Sequence, residues 1–338
     1  MNGDEELGSV GVQYLAVLFF LVAATGAVAL LLSSVFSYQR RSEAEYQWRK
    51  DLEEAALKAI PLLEEDDTPD ADGVGDTIWS FSEDGSNGIR RKVRDVSSAL
   101  NANFVRKGIF EKTALSQLLK PGQTESELQQ HREDSGLSPF DGAYKAYFTE
   151  DALKNVVTGY GWANINVSDE FALRKLCATA TGSEAFAEII HGKIQQLLRE
   201  RRLLRRDELT TFFGTHSAEL FPVMNVEPAM NVNFVAPLIL RDIIGYPDYA
   251  IPGADGKAEL ILSTRLGREI KPADLPGLLG VDASHILLQY FGARTWFWEI
   301  TAERGDKRCV LIIAALPELS ITATTSRRFA VVETRFEP

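Results

Sequence analysis

The chain has 338 residues, 45% of them hydrophobic, and a formal net charge of −12 at pH 7. This acidic balance argues against nucleic acid, whose phosphate backbone rewards clustered Lys and Arg. Two cysteines, Cys177 and Cys309, are too few and too far apart for a disulfide framework or a metal-ligand spacing, which leaves one bridge or two buried thiols open.

In chain order, the first feature is Leu7 to Gln39, which holds no Asp, Glu, Lys, Arg or His; its centre reads YLAVLFFLVAATGAVALLL. A bilayer core needs about 20 apolar helical residues, and a soluble-core helix of this length would show a polar face, so the run predicts a single membrane-spanning helix. No other run approaches that length, so the rest is expected to be soluble and to lie on one side. The start is acidic (Asp4, Glu5, Glu6), unlike the basic start of a secretory signal. Arg40, Arg41, Arg49 and Lys50 follow the run, and the positive-inside rule taken alone would keep the soluble part in the cytoplasm.

Beyond lipid, Trp48, Leu52, Ala55, Ala56, Ala59, Ile60 and Leu63 recur at steps of three and four. The spacing predicts one continuous helix from Ser9 to Ile60, ended by Pro61, with its second half packed on a domain. An acidic loop follows. Within it Thr68 to Gly73 faintly resembles a calcium loop, but Trp79 stands where a bidentate Glu belongs, so a solvated loop is favoured. Thr77 to Ser82 reads as a short strand, and Asp84 to Pro139 as polar and mostly helical. Asn155 to Val167 suggests a strand ending in Asn164-Ile-Asn166, and Ser168-Asp-Glu opens a helix. Helices are expected over 171–178, 183–204, 207–213, 217–223, 235–244, 257–266 and 272–279, with Asn231-Val-Asn233 before the fifth and Pro237 in its first turn. Thr295 to Ala302, Arg308 to Ala315 and Arg328 to Arg335 are rich in β-branched and aromatic residues, and Gly305-Asp306 predicts a hairpin between the first two. The expected fold is α+β: a long N-terminal helix packed on a small antiparallel sheet, with an all-helical block inserted.

Several local runs, in order, resemble the K-type minor pseudopilins of bacterial type II secretion systems. They are Glu208-Leu209, Gly214, Leu220-Phe221 and Met230-Asn-Val-Asn233 with Ala236 and Leu240. Gly161-Trp-Ala-Asn164-Ile-Asn166 upstream, and Tyr290-Phe291-Gly292 before Thr295-Trp-Phe-Trp298 downstream, add to the likeness. Phe234-Val235-Ala236 departs from the family's Thr-Ala, and the acidic start departs from its basic leaders.

The resemblance implies a pilin-like fold divided into a leader (1–8), a transmembrane helix (9–36) and its periplasmic continuation (37–63). A first strand with a polar insertion (64–143), a pilin-domain strand (144–167), an inserted α-domain (168–292) and the closing strands (293–338) would follow. It also implies cleavage after Gly8, with Ser9 as the first mature residue and neutral Gln13 at the fifth position, where most pilins carry Glu. Asn164, Asn166, Asn231 and Asn233 would act as structural caps. The implied partners are other minor pseudopilins, the secretion machinery and the inner membrane, with the domain in the periplasm and no nucleic acid or small-molecule substrate. No cofactor is implied beyond calcium, for which the resemblance assigns no ligands on this chain.

No phosphate loop, nucleophile elbow or histidine pair at metal spacing is present. His131, His191, His216 and His285 are scattered and read as surface or helix-face residues, and Ser217 as a helix cap. Arg199 to Arg206 carries five arginines, read either as a solvated helix end complementing the dipole or as a surface for an acidic partner. These residues offer no catalytic constellation, and the resemblance implies a non-enzymatic assembly protein; the alternative is a membrane-tethered binding module facing the cytoplasm.

Overall fold

The long helix is where the apolar stripe predicts it, but its end is displaced. The computed structural model describes residues 33–66, 71–81, 88–135, 144–316 and 328–337. Two units divide the chain, Met1–Glu54 and Ala55–Pro338. In the first, helix α1 (33–57, continuing into the second unit) is mostly exposed and carries i,i+4 pairs, Gln39 with Glu43 at 2.9 Å and Arg49 with Glu45 at 2.9 Å. Residues 1–32, which hold most of the apolar run together with Gly8, Ser9 and Gln13, lie outside the described residues. Among the described residues no helix is long and apolar enough to cross a membrane.

Pro61 does not end the rod. The helix breaks three residues earlier, at Lys58, and α2 (Ala59–Glu64) restarts it. Pro61 then falls in a first turn, where its missing N–H needs no acceptor. Leu52, Ala55, Ala56, Ala59 and Leu63 of the expected stripe are buried, and α2 lies against the last strand of the chain.

Of the expected strand Thr77 to Ser82, the described residues Thr77 to Phe81 are not a strand. Its alternation fits one helical turn equally well, and α3 (Thr77–Ser80) buries Ile78 and sets Trp79 on Phe234 at 4.4 Å. The first strand is instead β1 (Arg90–Asp95), within the stretch expected to be helical. Its sequence, RRKVRD, is charged because it is a sheet edge, where charge deters pairing with other chains.

The main sheet is four-stranded and antiparallel, ordered β1, β8 (Phe297–Arg304), β9 (Lys307–Leu316), β10 (Arg328–Glu337). β1 pairs along its whole length with β8, tied by Lys92 to Glu303 at 2.6 Å and Arg94 to Glu299 at 3.0 Å. The hairpin at Gly305-Asp306 is present, with Gly305 at φ +64°, a left-handed conformation that glycine adopts without Cβ strain. Cys309 to Ala315 of β9 are all buried, which fits an almost unbroken apolar run in a central strand. Trp298 is fully buried and meets Phe329 of β10 edge-on at 5.6 Å.

Among the described residues nothing between β1 and β8 joins the main sheet. The expected strand within 144–167 does not join the main sheet. That region makes two-residue parallel ladders: β2 (Leu100–Asn101) with β3 (Val157–Thr158), and β4 (Ala163–Asn164) with β5 (Met224–Asn225). A third joins β6 (Met230–Asn231) to β7 (Phe291–Gly292). Around them stand α4 (Glu125–Ser135), α5 (Glu150–Asn155), α6 (Glu170–Thr181), α7 (Glu184–Glu200), α8 (Leu209–Phe213) and α9 (Ser217–Leu220), then α10 (Pro237–Ile244), α11 (Ala254–Gly267), α12 (Leu275–Leu279) and α13 (Leu287–Tyr290).

Among its described residues the block holds two apolar cores. One gathers α6 to α9 around Leu173, Ile190, Phe213 and Phe221. The other joins α10 to α13 with the segment after β1, through Phe110, Phe148, Leu240 and Leu279. Cys177 lies in the first core and Cys309 in β9; both are buried, and no disulfide links them.

Candidate functional site

Three Asn-x-Asn runs recur in the inserted block, each on a two-residue ladder: Asn101-Ala-Asn103, Asn164-Ile-Asn166 and Asn231-Val-Asn233. In each, the first Asn Oδ1 accepts the N–H of the second Asn at 2.9 Å, closing a side-chain turn. The first Asn carbonyl then accepts the two N–H groups that follow the motif. These side chains are therefore not helix caps. The caps of the following helices fall on Asp169, whose carboxylate accepts from Phe171 and Ala172 at 3.1 Å, and on Ala236 before Pro237.

The free ends of the asparagines tie distant segments together. Asn164 Nδ2 donates to the carbonyls of Glu227 (3.1 Å) and Gln289 (3.0 Å). Asn166 exchanges bonds with the Leu204 backbone, giving at 2.9 Å and accepting at 2.8 Å. Asn233 does the same with Ile270, at 3.0 and 2.9 Å. A polar group buried without a partner costs free energy, so such fully used amides fix which segments meet.

The Asn231 motif sits where the chain leaves the sheet and returns to it. Asn231 Nδ2 donates to the Asp72 carbonyl at 2.9 Å and to Thr295 Oγ1 at 3.1 Å. Asp72, itself buried, accepts the Thr295 N–H on its carboxylate at 2.6 Å. Ser98, just past β1, accepts the Asn231 N–H at 3.1 Å. Asp95, the last residue of β1, accepts from Ser97 Oγ (2.7 Å), the Ser98 N–H (3.0 Å), Thr295 Oγ1 (2.9 Å) and the Ser98 hydroxyl. Ser97 in turn accepts the Trp296 N–H at 3.0 Å. Burial pushes the Asp95 carboxyl up to about 6, against the pull of these donors. Asp76, near Asp72, is likewise raised by burial to about 6.

No family model matches this chain, and no curated protein matches it.

Chemically, the junction is a closed set of donors and acceptors that locks the helical block to the sheet. Among the described residues no group of three or more His, Cys, Asp or Glu is placed to hold a metal ion. Ser217 is not a cap; its hydroxyl donates to the carbonyls of Gly214 (2.6 Å) and Thr210 (3.2 Å). His216 is held by Glu219 at 2.7 Å, and His131 stacks near Tyr147 at 4.9 Å. Of this set, Asn164, Asn166, Asn231 and Asn233 are sequence-predicted, and the structure adds Asn101, Asn103, Asp72, Asp95 and Thr295. The Asn-x-Asn spacing at 101 was a legible signal for the first two.

Proposed function

We propose that this chain is a structural assembly subunit, a K-type minor pseudopilin at the tip of a type II secretion pseudopilus. One observation carries the reading: a long N-terminal helix precedes an antiparallel sheet whose first two paired strands, β1 and β8, are separated in sequence by a large helical insertion. Of the local motifs that resemble the family, Asn231-Val-Asn233 and the run from Thr295 lie where block and sheet meet, while Leu209, Leu220 and Phe221 lie in the core of α6 to α9. In this reading the apolar run from Leu7 to Gln39 holds the inner membrane and then packs among neighbouring subunits' helices, with the domain in the periplasm. The bulk of the insertion stops a further subunit from stacking above. Function then depends on a rigid connection between block and sheet.

Isolation of the full chain from membranes after mild cross-linking is expected to recover smaller pilin-like subunits, and deletion of the gene is expected to stop export. Isolation without such partners, with export intact, would overturn the reading. The cytoplasm-facing binding module is favoured by Arg40, Arg41, Arg49 and Lys50 behind the apolar run. Protection of the domain from protease in intact spheroplasts would select it.

A further inference from the structure

A cleft of about 790 Å³ opens within the inserted block, between the end of α7 and the segments around Tyr246 and His285. Its size falls within the roughly 300–1,000 Å³ of ligand-binding clefts. Five cations line it, Arg106, Lys107, Lys112, Arg201 and Arg202, against two carboxylates, Asp248 and Asp282. Such a concentration stands out on a chain of net charge −12. Lys112 is held by Asp248 at 3.0 Å, and Arg202 is paired with Glu208. Lys107 and Arg201 make no ion pair among the described residues; Arg106 makes none either, but its charge adds to the Lys112 hydrogen bond in holding the Asp248 carboxyl low.

Arg201 is also in the left-handed conformation, at φ +51°, as the C-cap of α7. Glycine takes that position without strain, and an Arg there is held at a cost. Complementing the helix dipole accounts for cations at the end of α7. It does not account for Arg106 and Lys107, which reach the same cleft from the segment after β2. Leu198, Leu203 and Ile286 supply apolar wall between the charges, and Leu198 is exposed.

We propose that this cleft docks an extended acidic segment of a partner protein. Its carboxylates would be taken by Arg106, Lys107 and Arg201, and its apolar side chains by Leu198, Leu203 and Ile286. Arg grips carboxylates through paired N–H donors. A continuous phosphate backbone fits less well, because Asp248 and Asp282 would repel it and the apolar wall would go unused. The inference stands on the cleft alone and is independent of where the domain resides.

The test uses the full chain in detergent and a labelled peptide of alternating Glu and Leu, with a Gln-Leu peptide as the neutral match and protein-free detergent as the blank. The Glu peptide is expected to bind about tenfold more tightly than the Gln peptide, and to weaken as salt rises. Arg201→Gly relieves the left-handed strain, so it is expected to melt no lower than the parent while binding the Glu peptide several-fold more weakly. Arg106→Ala with Lys107→Ala is expected to weaken it further. Equal binding of the two peptides, no binding of either, or unchanged binding by Arg201→Gly would overturn the proposal. So would a single-stranded oligonucleotide that displaces the peptide at lower concentration than the peptide itself requires.

Discussion

Asn231→Ala is expected to destabilise the protein by about 3–4 kcal/mol, lowering the melting temperature by roughly 5–10 °C. The side chain is fully buried and makes three hydrogen bonds, to the Asp72 carbonyl, Thr295 Oγ1 and the Asn233 N–H. Each such bond contributes about 1 kcal/mol net, and a donor left buried without a partner costs about 1–3 kcal/mol more. Asp72 keeps a bond from Asn233 Nδ2 at 3.1 Å, and Thr295 keeps Asp95, so the orphan is the Asn233 N–H. The loss should be felt as a loosened joint as well as a lower midpoint. Hydrogen exchange is expected to rise first at residues 293–298 and 230–234, with the α6–α9 core still protected. A melting temperature within about 1 °C of the parent would show that the junction does not hold the block, since that shift corresponds to well under 1 kcal/mol in a domain of this size. A double-mutant cycle with Thr295→Val isolates the direct coupling between the two side chains.

The second expected result is a fall in stability as pH rises, set by Asp95. Its folded carboxyl is raised to about 6 from an ordinary value of 3.8, so the folded state binds the proton more tightly than the unfolded chain. Between those values the folded state carries more protons, and stability therefore declines as pH rises through the window and levels off above about 6. At 1.36 kcal/mol per pH unit the full effect is at most about 3 kcal/mol. Asp95→Asn is expected to flatten the denaturation midpoint between pH 5 and pH 7, because Ser98 and Thr295 hydroxyls can turn to accept from the amide. Asp76 contributes in the same window with the same sign, so Asp76→Asn is the paired variant. A slope unchanged in both variants would contradict the assignment.

The parts of this fold legible in the sequence were those with their own local signal. The strands β8, β9 and β10 announce themselves through runs such as WFWEI and VLIIAA, and α7 through its apolar stripe and the Ser183 cap, whose oxygen accepts from Phe186 at 3.2 Å. β1 was hidden because an edge strand of RRKVRD has no alternation and Val93 as its one apolar residue. The ladders β2 to β7 were hidden because two residues have no period. The break at Lys58 was misplaced because Pro61 is the stronger textual signal, although proline is tolerated in a first turn.

The candidate junction was half legible. Asn164, Asn166, Asn231 and Asn233 stand out as a repeated spacing, and Asn101 and Asn103 carry the same spacing. Asp72, Asp95 and Thr295 could not be grouped by any local rule. Thr295 is 223 residues from Asp72 and 200 from Asp95, and the three meet only because β1 pairs with β8.

The assembly reading is tested most directly by N-terminal sequencing of the mature protein recovered from membranes. The account predicts a chain that begins at Ser9, cut after Gly8 as a pilin-type leader is cut. A mature chain that still begins at Met1 would contradict it.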